Sequence, residues 1–333
     1  MDITNLNGNR WGLGFVAQHF LLSAKARTLS LSAVARMTED EAHVRFTAIR
    51  FADNGGEPFC PRCDCTAIYT YTARRIWKCK RCNHQFSVTS GTIFASRKLP
   101  VRDYLLAIAI FVNGAKGHSA LQLSRDLNCQ YKSAFVMAHK IREAIGAEQS
   151  GIKLAGVVEV DGLYVGGHAK QENNKADRKD RRLEQPAKRQ SVVVARQRDG
   201  RTVAVVAASE ASSVPAIREI IEPGSIVHAD EAAAWDRLHA HYDMRRINHS
   251  VAFSKNGACT NWAESFFSRM RRAEWGQHHH ISGKYLAAYA REMAWREDNR
   301  RQPNGMLHEM ATGAALAHPV SRTWARYWQR AIN

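Results

Sequence analysis

The sequence is poor in acidic residues and has no long apolar run. Its 333 residues include 31 Asp and Glu against 48 Lys and Arg, so the formal net charge is +17. That excess of positive charge is typical of a protein that binds a polyanion, and an enzyme acting on small neutral substrates has no need of it. Since no stretch approaches the roughly 18 uninterrupted apolar residues of a membrane helix, we expect no transmembrane segment.

The first residues lack the basic and apolar regions of a secretory signal, and cysteine is scarce. There are seven cysteines, an odd number, and four of them fall in two Cys-x-x-Cys pairs. Without a secretory signal, this pattern favours metal binding over disulfide bonds. A hydrophobic content of 45% excludes a disordered basic tail, and the length allows two or three globular domains.

The two cysteine pairs are Cys60 with Cys63 and Cys79 with Cys82, separated by fifteen residues. This is the spacing of a structural zinc site, in which each pair sits on a tight turn and four thiolates surround one Zn²⁺. β-Branched and aromatic residues between the pairs predict two short strands, as in a zinc ribbon. The alternative is four buried thiols without metal, but so short a unit cannot bury enough apolar area to fold alone.

Three helices are predicted between residues 101 and 146. The first is apolar almost throughout and is therefore expected to be buried. Residues 119–127 and 131–142, joined by a short turn, have the length and apolar spacing of a helix-turn-helix that binds DNA through its second helix. Any tight helical hairpin has the same pattern, so the sequence leaves DNA contact here open.

Two predicted strands, one through Asp161 and one ending at Asp230, carry an acid in an apolar run. An Asp-Gly turn at 199–200 predicts a hairpin between them. Three strands in succession followed by strand–helix units is the order of a ribonuclease H-like fold, an α/β fold with a mixed sheet and flanking helices. If the two acid-bearing strands are adjacent and parallel, their carboxylates repel each other unless cations such as two Mg²⁺ ions lie between them.

A helix predicted from Asn261 supplies a third acid. Helical spacing places Asn261, Glu264 and Arg271 on one face, while Phe266 and Phe267 lie on the opposite face and are expected to pack on the sheet. Glu264 would reach the metal ions and Arg271 would hold a phosphate. Taken singly, both are ordinary surface residues of a helix, and only their register with the acid-bearing strands favours a functional role.

The remaining expectations concern local structure. We expect a loop over 170–189, a helix that begins at 213 with Pro215 in its first turn, a helix over 231–239, and a basic, aromatic helix at 324–328 that packs on the protein or on a partner.

Together these segments resemble the DDE-type insertion-sequence transposases that carry an N-terminal zinc ribbon. The resemblance spans about residues 20 to 305. It is carried by seven motifs in this order: Cys60-Pro61-Arg62-Cys63, Trp77-Lys78-Cys79-Lys80-Arg81-Cys82, Phe86-Ser87-Val88-Thr89-Ser90-Gly91-Thr92, Glu159-Val160-Asp161-Gly162, His228-Ala229-Asp230-Glu231, Asn261 with Ala263-Glu264-Ser265-Phe266, and Glu297-Asp298-Asn299-Arg300.

The resemblance implies a ribonuclease H-like domain that uses Mg²⁺ or Mn²⁺ and acts on double-stranded DNA, at transposon ends and at a target. It implies that Asp161 and Asp230 bind the metal and that Glu264 is the third acid. Asn261 is the alternative, because some members carry Asn in that role. Arg271 stands where Lys is more usual, and Arg keeps the charge and can bind phosphate through two hydrogen bonds. A homodimer or larger oligomer on DNA, in a prokaryotic cytoplasm and associated with the nucleoid, is implied as well.

We therefore divide the chain into an N-terminal helical segment (1–56), a zinc ribbon (57–96), a helical, helix-turn-helix-like DNA-binding region (97–150), a ribonuclease H-like DDE catalytic domain (151–305) and a C-terminal helical tail (306–333). The expected function is metal-dependent 3′-end cleavage and strand transfer at transposon ends. Two alternatives stay open, which are a non-catalytic zinc-ribbon DNA-binding regulator and a nuclease that cuts without joining.

Overall fold

A computed structural model of the protein describes residues 20–166, 174–178, 189–247 and 259–329. Within these ranges the chain forms nine α-helices and two β-sheets. None of the helices in the described ranges is long and apolar enough to cross a membrane. Most of the predicted loop at 170–189 lies outside the described residues, and so do the first nineteen residues.

Five helices build the amino-terminal half and confirm the helices predicted there. They are α1 (Leu31–Arg36), α2 (Glu39–Arg50), α3 (Val101–Asn113), α4 (Ala120–Asp126) and α5 (Tyr131–Ala147). A capping box starts α2, because the hydroxyl of Thr38 accepts the N–H of Glu41 and the Glu41 carboxylate accepts the N–H of Thr38. As its composition predicted, α3 is buried along most of its length.

The smaller sheet is the predicted ribbon. Its three antiparallel strands are β1 (Ile68–Tyr71), β2 (Ile76–Cys79) and β3 (Gln85–Ser87), with β2 in the middle. The ring of Trp77 on β2 packs edge-to-face on Phe51, which follows α2. Phe86 on β3 belongs to the same buried cluster as Leu105 and Ile108 on α3. The ribbon and the helices therefore share one apolar core.

The larger sheet has the mixed topology that the strand order predicted. Its strands are β4 (Val157–Val165), β5 (Gln190–Gln197), β6 (Thr202–Ala207), β7 (Ile226–Asp230) and β8 (Asp243–Ile247). They lie in the order β6-β5-β4-β7-β8. The first three strands along the chain pair antiparallel, and β4, β7 and β8 pair parallel. At the predicted hairpin turn, Asp199 adopts a φ of 56°, a left-handed conformation that Asp tolerates.

Helices cover both faces of this sheet. One face packs against α6 (Glu210–Ile220) and a 3₁₀ helix (Ala233–Ala240), in a cluster that contains Val158 and Val160 of β4. The other face packs against α7 (Asn261–Ala273) and α8 (Gly283–Asn299), in a cluster that contains Val165 of β4. Successive side chains of a strand point to opposite faces of the sheet, so β4, which helices cover on both sides, buries alternate residues in the two clusters.

Three predicted helices differ from the structure in their bounds or their type. The helix expected from residue 213 begins at Glu210, because the hydroxyl of Ser209 caps it, and Pro215 lies inside the helix. The helix expected over 231–239 is the 3₁₀ helix described above. The segment 324–328 forms turns and part of a 3₁₀ turn (Tyr327–Gln329), since five residues are too few for a stable α-helix and aromatic packing holds the segment instead.

The chain returns to its amino-terminal half after the larger sheet. Helix α9 (Asn304–Ala317) packs against α2, α3 and α5, and buries Ala311 and Ala315 in their core. A buried ion pair also joins the halves, because Arg142 on α5 donates to Glu292 on α8 at 2.5 Å. Near it, Trp324 stacks on His139 of α5 with 4.4 Å between ring centroids.

Candidate active site

Asp161 and Asp230 lie on neighbouring parallel strands. In the register of β4 and β7, Val160 pairs with Ala229, so each acid is the next residue on its strand. Val160 and Ala229 both belong to the cluster beneath α6. The alternation along a strand therefore assigns both acids to the side that α7 covers, and the sheet brings the two predicted metal ligands together.

The electrostatics of Asp161 show that further acids lie near it. Burial raises the pKa of Asp161 to about 7, against a hydrogen bond from the N–H of Gly162, and the charges of Asp230, Glu210 and Glu264 add to the effect. A carboxyl group whose pKa is raised by other carboxylates is one that a bound cation would stabilise in its ionised form. Asp230 and Glu264, the other two acids of the predicted trio, are therefore both within electrostatic range of Asp161.

Asp230 is held in a defined orientation at the end of β7. Its Oδ1 accepts hydrogen bonds from Trp235 Nε1 at 2.9 Å and from the N–H of Ala232 at 3.1 Å. Arg246 fixes the backbone at the same point by donating to the Asp230 carbonyl at 2.5 Å. Among the described residues, both hydrogen bonds to the side chain go to Oδ1, which leaves the second carboxylate oxygen available as a ligand.

Helix α7 carries the other predicted site residues. Asn261 is its first residue and is exposed, Glu264 is half-buried one turn later, and Arg271 is exposed in its last turn. The opposite face of α7 buries Phe266 and Phe267 in the cluster against the sheet, as predicted. The charge of Glu264 contributes to the raised pKa of Asp161.

Glu210 is a fourth acid at this site that was not predicted from the sequence. It is the first residue of α6, and its carboxylate lies against β4, because a Cβ atom at Gly162 would come within 2.4 Å of Glu210 Oε1. Burial and the charge of Asp230 raise the pKa of Glu210, against the charge of Arg189. The capping box of Ser209 and Ser212 was the signal that would have placed the start of this helix at Glu210.

Glu159 was also missed as a site residue. It lies two positions before Asp161 on β4, and it is completely buried. Its carboxylate accepts hydrogen bonds from the N–H of Trp262 at 2.8 Å and of Ala263 at 3.2 Å, and pairs with Arg198 at 3.1 Å. Glu159 thereby ties the first turn of α7 to the sheet. The signal in the sequence was a second acid in an otherwise apolar strand, two residues before Asp161 and therefore on the same face.

The four predicted zinc ligands converge in the ribbon. The Sγ atoms of Cys60, Cys63, Cys79 and Cys82 all lie within 4.8 Å of one another. Sulfur–sulfur distances of 3.4 to 3.6 Å are close to the ~3.8 Å that a tetrahedron with Zn–S bonds of about 2.3 Å requires. The cysteines therefore fit a structural Zn²⁺.

The acids are more widely spaced than the cysteines. Throughout the part of the chain that the structure describes, only the four cysteines form a group of three or more such ligands with all ligand atoms within 4.8 Å. Asp161, Asp230, Glu264 and Glu210 could hold one or two hard divalent cations, which prefer carboxylate oxygens.

Two family models match the parts of the chain that contain the acids and the cysteines. Residues 153–298 match the ISXO2-like transposase domain, and residues 37–85 match the transposase zinc-ribbon domain. An uncharacterized transposase-like protein of Haemophilus influenzae is 31% identical over 99 residues, which are 29% of this chain and 80% of that protein. The chain belongs to the ISXO2-like transposases.

A second relative of this transposase is an uncharacterized protein in transposable element ISH50 of Halobacterium salinarum. It is 26% identical over 133 residues, which are 39% of the transposase chain and 41% of the relative. The match therefore spans less than half of that protein. The matched transposase domain includes Asp161, Asp230, Glu264 and Arg271, and the ribbon match includes all four zinc-site cysteines.

Proposed function

We propose that this transposase cuts DNA at the ends of an insertion sequence and joins the freed 3′ end to a target, with Asp161, Asp230 and Glu264 holding divalent metal ions. The observation that carries the proposal is the parallel pairing of β4 with β7, which puts two acids on adjacent strands. The raised pKa of Asp161 supports it, because Asp230, Glu210 and Glu264 act on one buried carboxyl group.

Each residue of the site would have a separate task. Mg²⁺ or Mn²⁺, when bound, would polarise the phosphodiester and stabilise the attacking and leaving oxygens. Asp161, Asp230 and Glu264 would hold the ions through carboxylate oxygens, while Arg271, seven residues after Glu264, would hold a phosphate of the DNA. Glu159 would act as a positioning residue, because it fixes the turn of α7 that precedes Glu264. Asn261 is exposed and could donate a hydrogen bond to DNA.

The rest of the chain supports DNA as the partner. The net charge of +17 favours contact with phosphates, and the ribbon contributes several arginines and lysines. The helix-turn-helix would contact DNA through only a small part of its second helix. Most of α5 is buried, and Tyr131 and Lys132 are exposed at its start, so contact with DNA would come from that first turn. Two transposon ends require two active sites, and we therefore propose a dimer or larger oligomer on DNA.

The test is cleavage and joining of a supercoiled donor plasmid with Mg²⁺ or Mn²⁺. We expect Asp161→Ala and Asp230→Ala to lower product formation roughly 10³-fold or more while both still bind DNA. Asp243→Ala is the matched control, because Asp243 is an exposed acid at the start of the neighbouring strand, and its activity should stay within about twofold.

The products separate this function from its alternatives. Joined strands that depend on both acids support a transposase. Cut strands without any joined product would identify a nuclease, and DNA binding without metal-dependent cutting would identify a regulator. Full activity of Asp161→Ala or Asp230→Ala would overturn the proposed role of the acids.

A further inference from the structure

An arginine-lined cavity of about 770 Å³ lies between the amino-terminal half and helices α7 and α8. One wall is apolar and includes Phe20, Trp295 and Leu307. The charged residues of its lining are five arginines and a single carboxylate. They are Arg27, Arg269, Arg296, Arg300, Arg301 and Glu297. The cavity therefore carries a large excess of positive charge.

The one carboxylate is already shared among several cations. Glu297 is buried and pairs with Arg196 at 2.8 Å, with Arg300 at 3.1 Å and with Arg269. Burial lowers the pKa of the Arg269 guanidinium, and the positive charges of Arg300 and Arg196 lower it further. Three guanidinium groups around one carboxylate leave positive charge that an incoming anion would offset.

Two arginines are available to such an anion. Arg27 and Arg301 are exposed, and neither side chain has an ion-pair partner among the described residues. Arg296 also lines the cavity, but it is paired with Glu292 at 2.8 Å. Guanidinium groups bind phosphate oxygens through two parallel hydrogen bonds, and the apolar wall can pack against a sugar or a base.

We propose that this cavity is a second DNA site, which binds the phosphodiester backbone of the strand that the acid cluster cuts. The inference rests on the proposed function. Helix α7 runs between the two places, because it carries both Glu264 and Arg269, which lie about 7.5 Å apart along its axis and roughly 140° apart around it, so the bound strand passes around α7. Arg27 and Arg301 contact the backbone from the rim, and DNA in the cavity bridges the two halves of the protein.

The first test removes the two exposed charges. Binding of transposon-end DNA is measured without added Mg²⁺ or Mn²⁺, in the Asp161→Ala background, over a range of salt concentrations. We expect Arg27→Ala/Arg301→Ala to lower affinity about tenfold and to reduce the slope of log K against log salt by about 2, because two phosphate contacts are lost.

The charge-matched control is Arg218→Ala/Arg237→Ala. Both residues are exposed, on α6 and on the 3₁₀ helix that cover the opposite face of the sheet. This control also loses two positive charges, and its affinity for DNA should stay within about twofold of that of the parent protein. An equal effect in both double variants would mean that only net charge matters, and it would overturn the inference.

The second test places an acid in the cavity. Ala115 is exposed and lines it, so Ala115→Glu should weaken DNA binding, while the uncharged Ala115→Gln of similar size should not. If Ala115→Glu and Arg27→Ala/Arg301→Ala bind DNA like the parent protein but unfold at lower temperature, another part of the chain fills the cavity and the inference is wrong. Because Mg²⁺ and Mn²⁺ are left out, none of these outcomes depends on cleavage, which the plasmid assay tests separately.

Discussion

The carboxylate of Glu159 accepts the backbone N–H of Trp262 at 2.8 Å, and this contact joins the central strand β4 to the first turn of α7. The same carboxylate accepts the N–H of Ala263 and pairs with Arg198. The start of an α-helix has N–H groups without helical partners, and a buried carboxylate satisfies two of them here. The position of Glu264, one turn along the helix, therefore depends on Glu159.

We expect Glu159→Gln to weaken this attachment, because an amide presents an N–H₂ group where the helix requires an acceptor. Loss of buried hydrogen bonds to a charged group should cost about 1–3 kcal/mol of stability. Displacement of Glu264 should weaken Mn²⁺ binding about 10- to 100-fold, as for other residues that orient metal ligands. Mn²⁺ affinity is measured directly by titration. The affinity for DNA, measured without Mn²⁺ or Mg²⁺, should not change.

The control for this prediction is Glu222→Gln, which changes an exposed acid beyond α6. Its Mn²⁺ affinity and stability should match those of the unmodified protein. A Glu159→Gln protein that is less stable yet binds Mn²⁺ normally would mean that Glu159 only supports the fold and does not position the site.

The buried histidine His139 predicts a loss of stability in mild acid. Burial and the charge of Arg142 lower the pKa of His139 to about 3, and neither ring nitrogen has a hydrogen-bond partner among the described residues. A lowered histidine pKa means that the folded protein favours the neutral ring. The stabilising effect is complete above the unfolded pKa of about 6.5 and is lost as the pH falls toward 3. At pH 5 the loss of this stabilising effect should lower the free energy of unfolding by about 2 kcal/mol.

His139→Phe should remove this dependence, because a phenyl ring can keep the stack on Trp324 without binding a proton. The free energy of unfolding, measured with urea at pH 7 and pH 5, should fall less in His139→Phe than in the unmodified protein. The exposed His241 is the control, and His241→Phe should keep the full loss between the two pH values. Equal losses in all three proteins would exclude His139 as the cause.

Zinc removal should unfold the ribbon and weaken the helices packed on it. The apolar core of the ribbon is continuous with that of the helices through Phe51 and Trp77. We expect one Zn²⁺ per chain by elemental analysis, and we expect Cys79→Ser or a chelator to open residues 57–96 to protease. The larger sheet has separate apolar clusters and should stay protected.

The control for zinc removal is Cys65→Ser, since Cys65 lies between the pairs but outside the group of four. It should retain the metal and the protease resistance of the ribbon. Full zinc content and unchanged digestion of Cys79→Ser would contradict a structural role for these thiolates.

The parts of this protein that could be predicted from the sequence follow local rules. The spacing of the four cysteines predicted the ribbon, and the apolar runs around Asp161 and Asp230 predicted two central strands. The strand order then predicted the mixed sheet, because antiparallel hairpins and parallel crossovers need different connections. The helical spacing of Glu264 and Arg271 predicted the face of α7 that stays clear of the core.

The parts that could not be predicted depend on contacts between distant segments. Glu159 has a role only because α7, a hundred residues later, ends its first turn against β4. Glu210 reaches the acids only because Gly162 leaves room for it. The start of α6 was misjudged because Pro215 signals a helix start by itself, whereas the cap at Ser209 lies six residues earlier.

The packing of α9 has a consequence for incomplete chains. This helix supplies Ala311, Ala315 and Leu316 to the core that α2, α3 and α5 begin, so the amino-terminal half cannot close until the chain has been synthesised beyond residue 317. A polypeptide released early by the ribosome, for example after residue 150, would leave the apolar side of α3 uncovered. Truncated copies of the gene would therefore yield aggregating fragments and not competitors of the full-length protein.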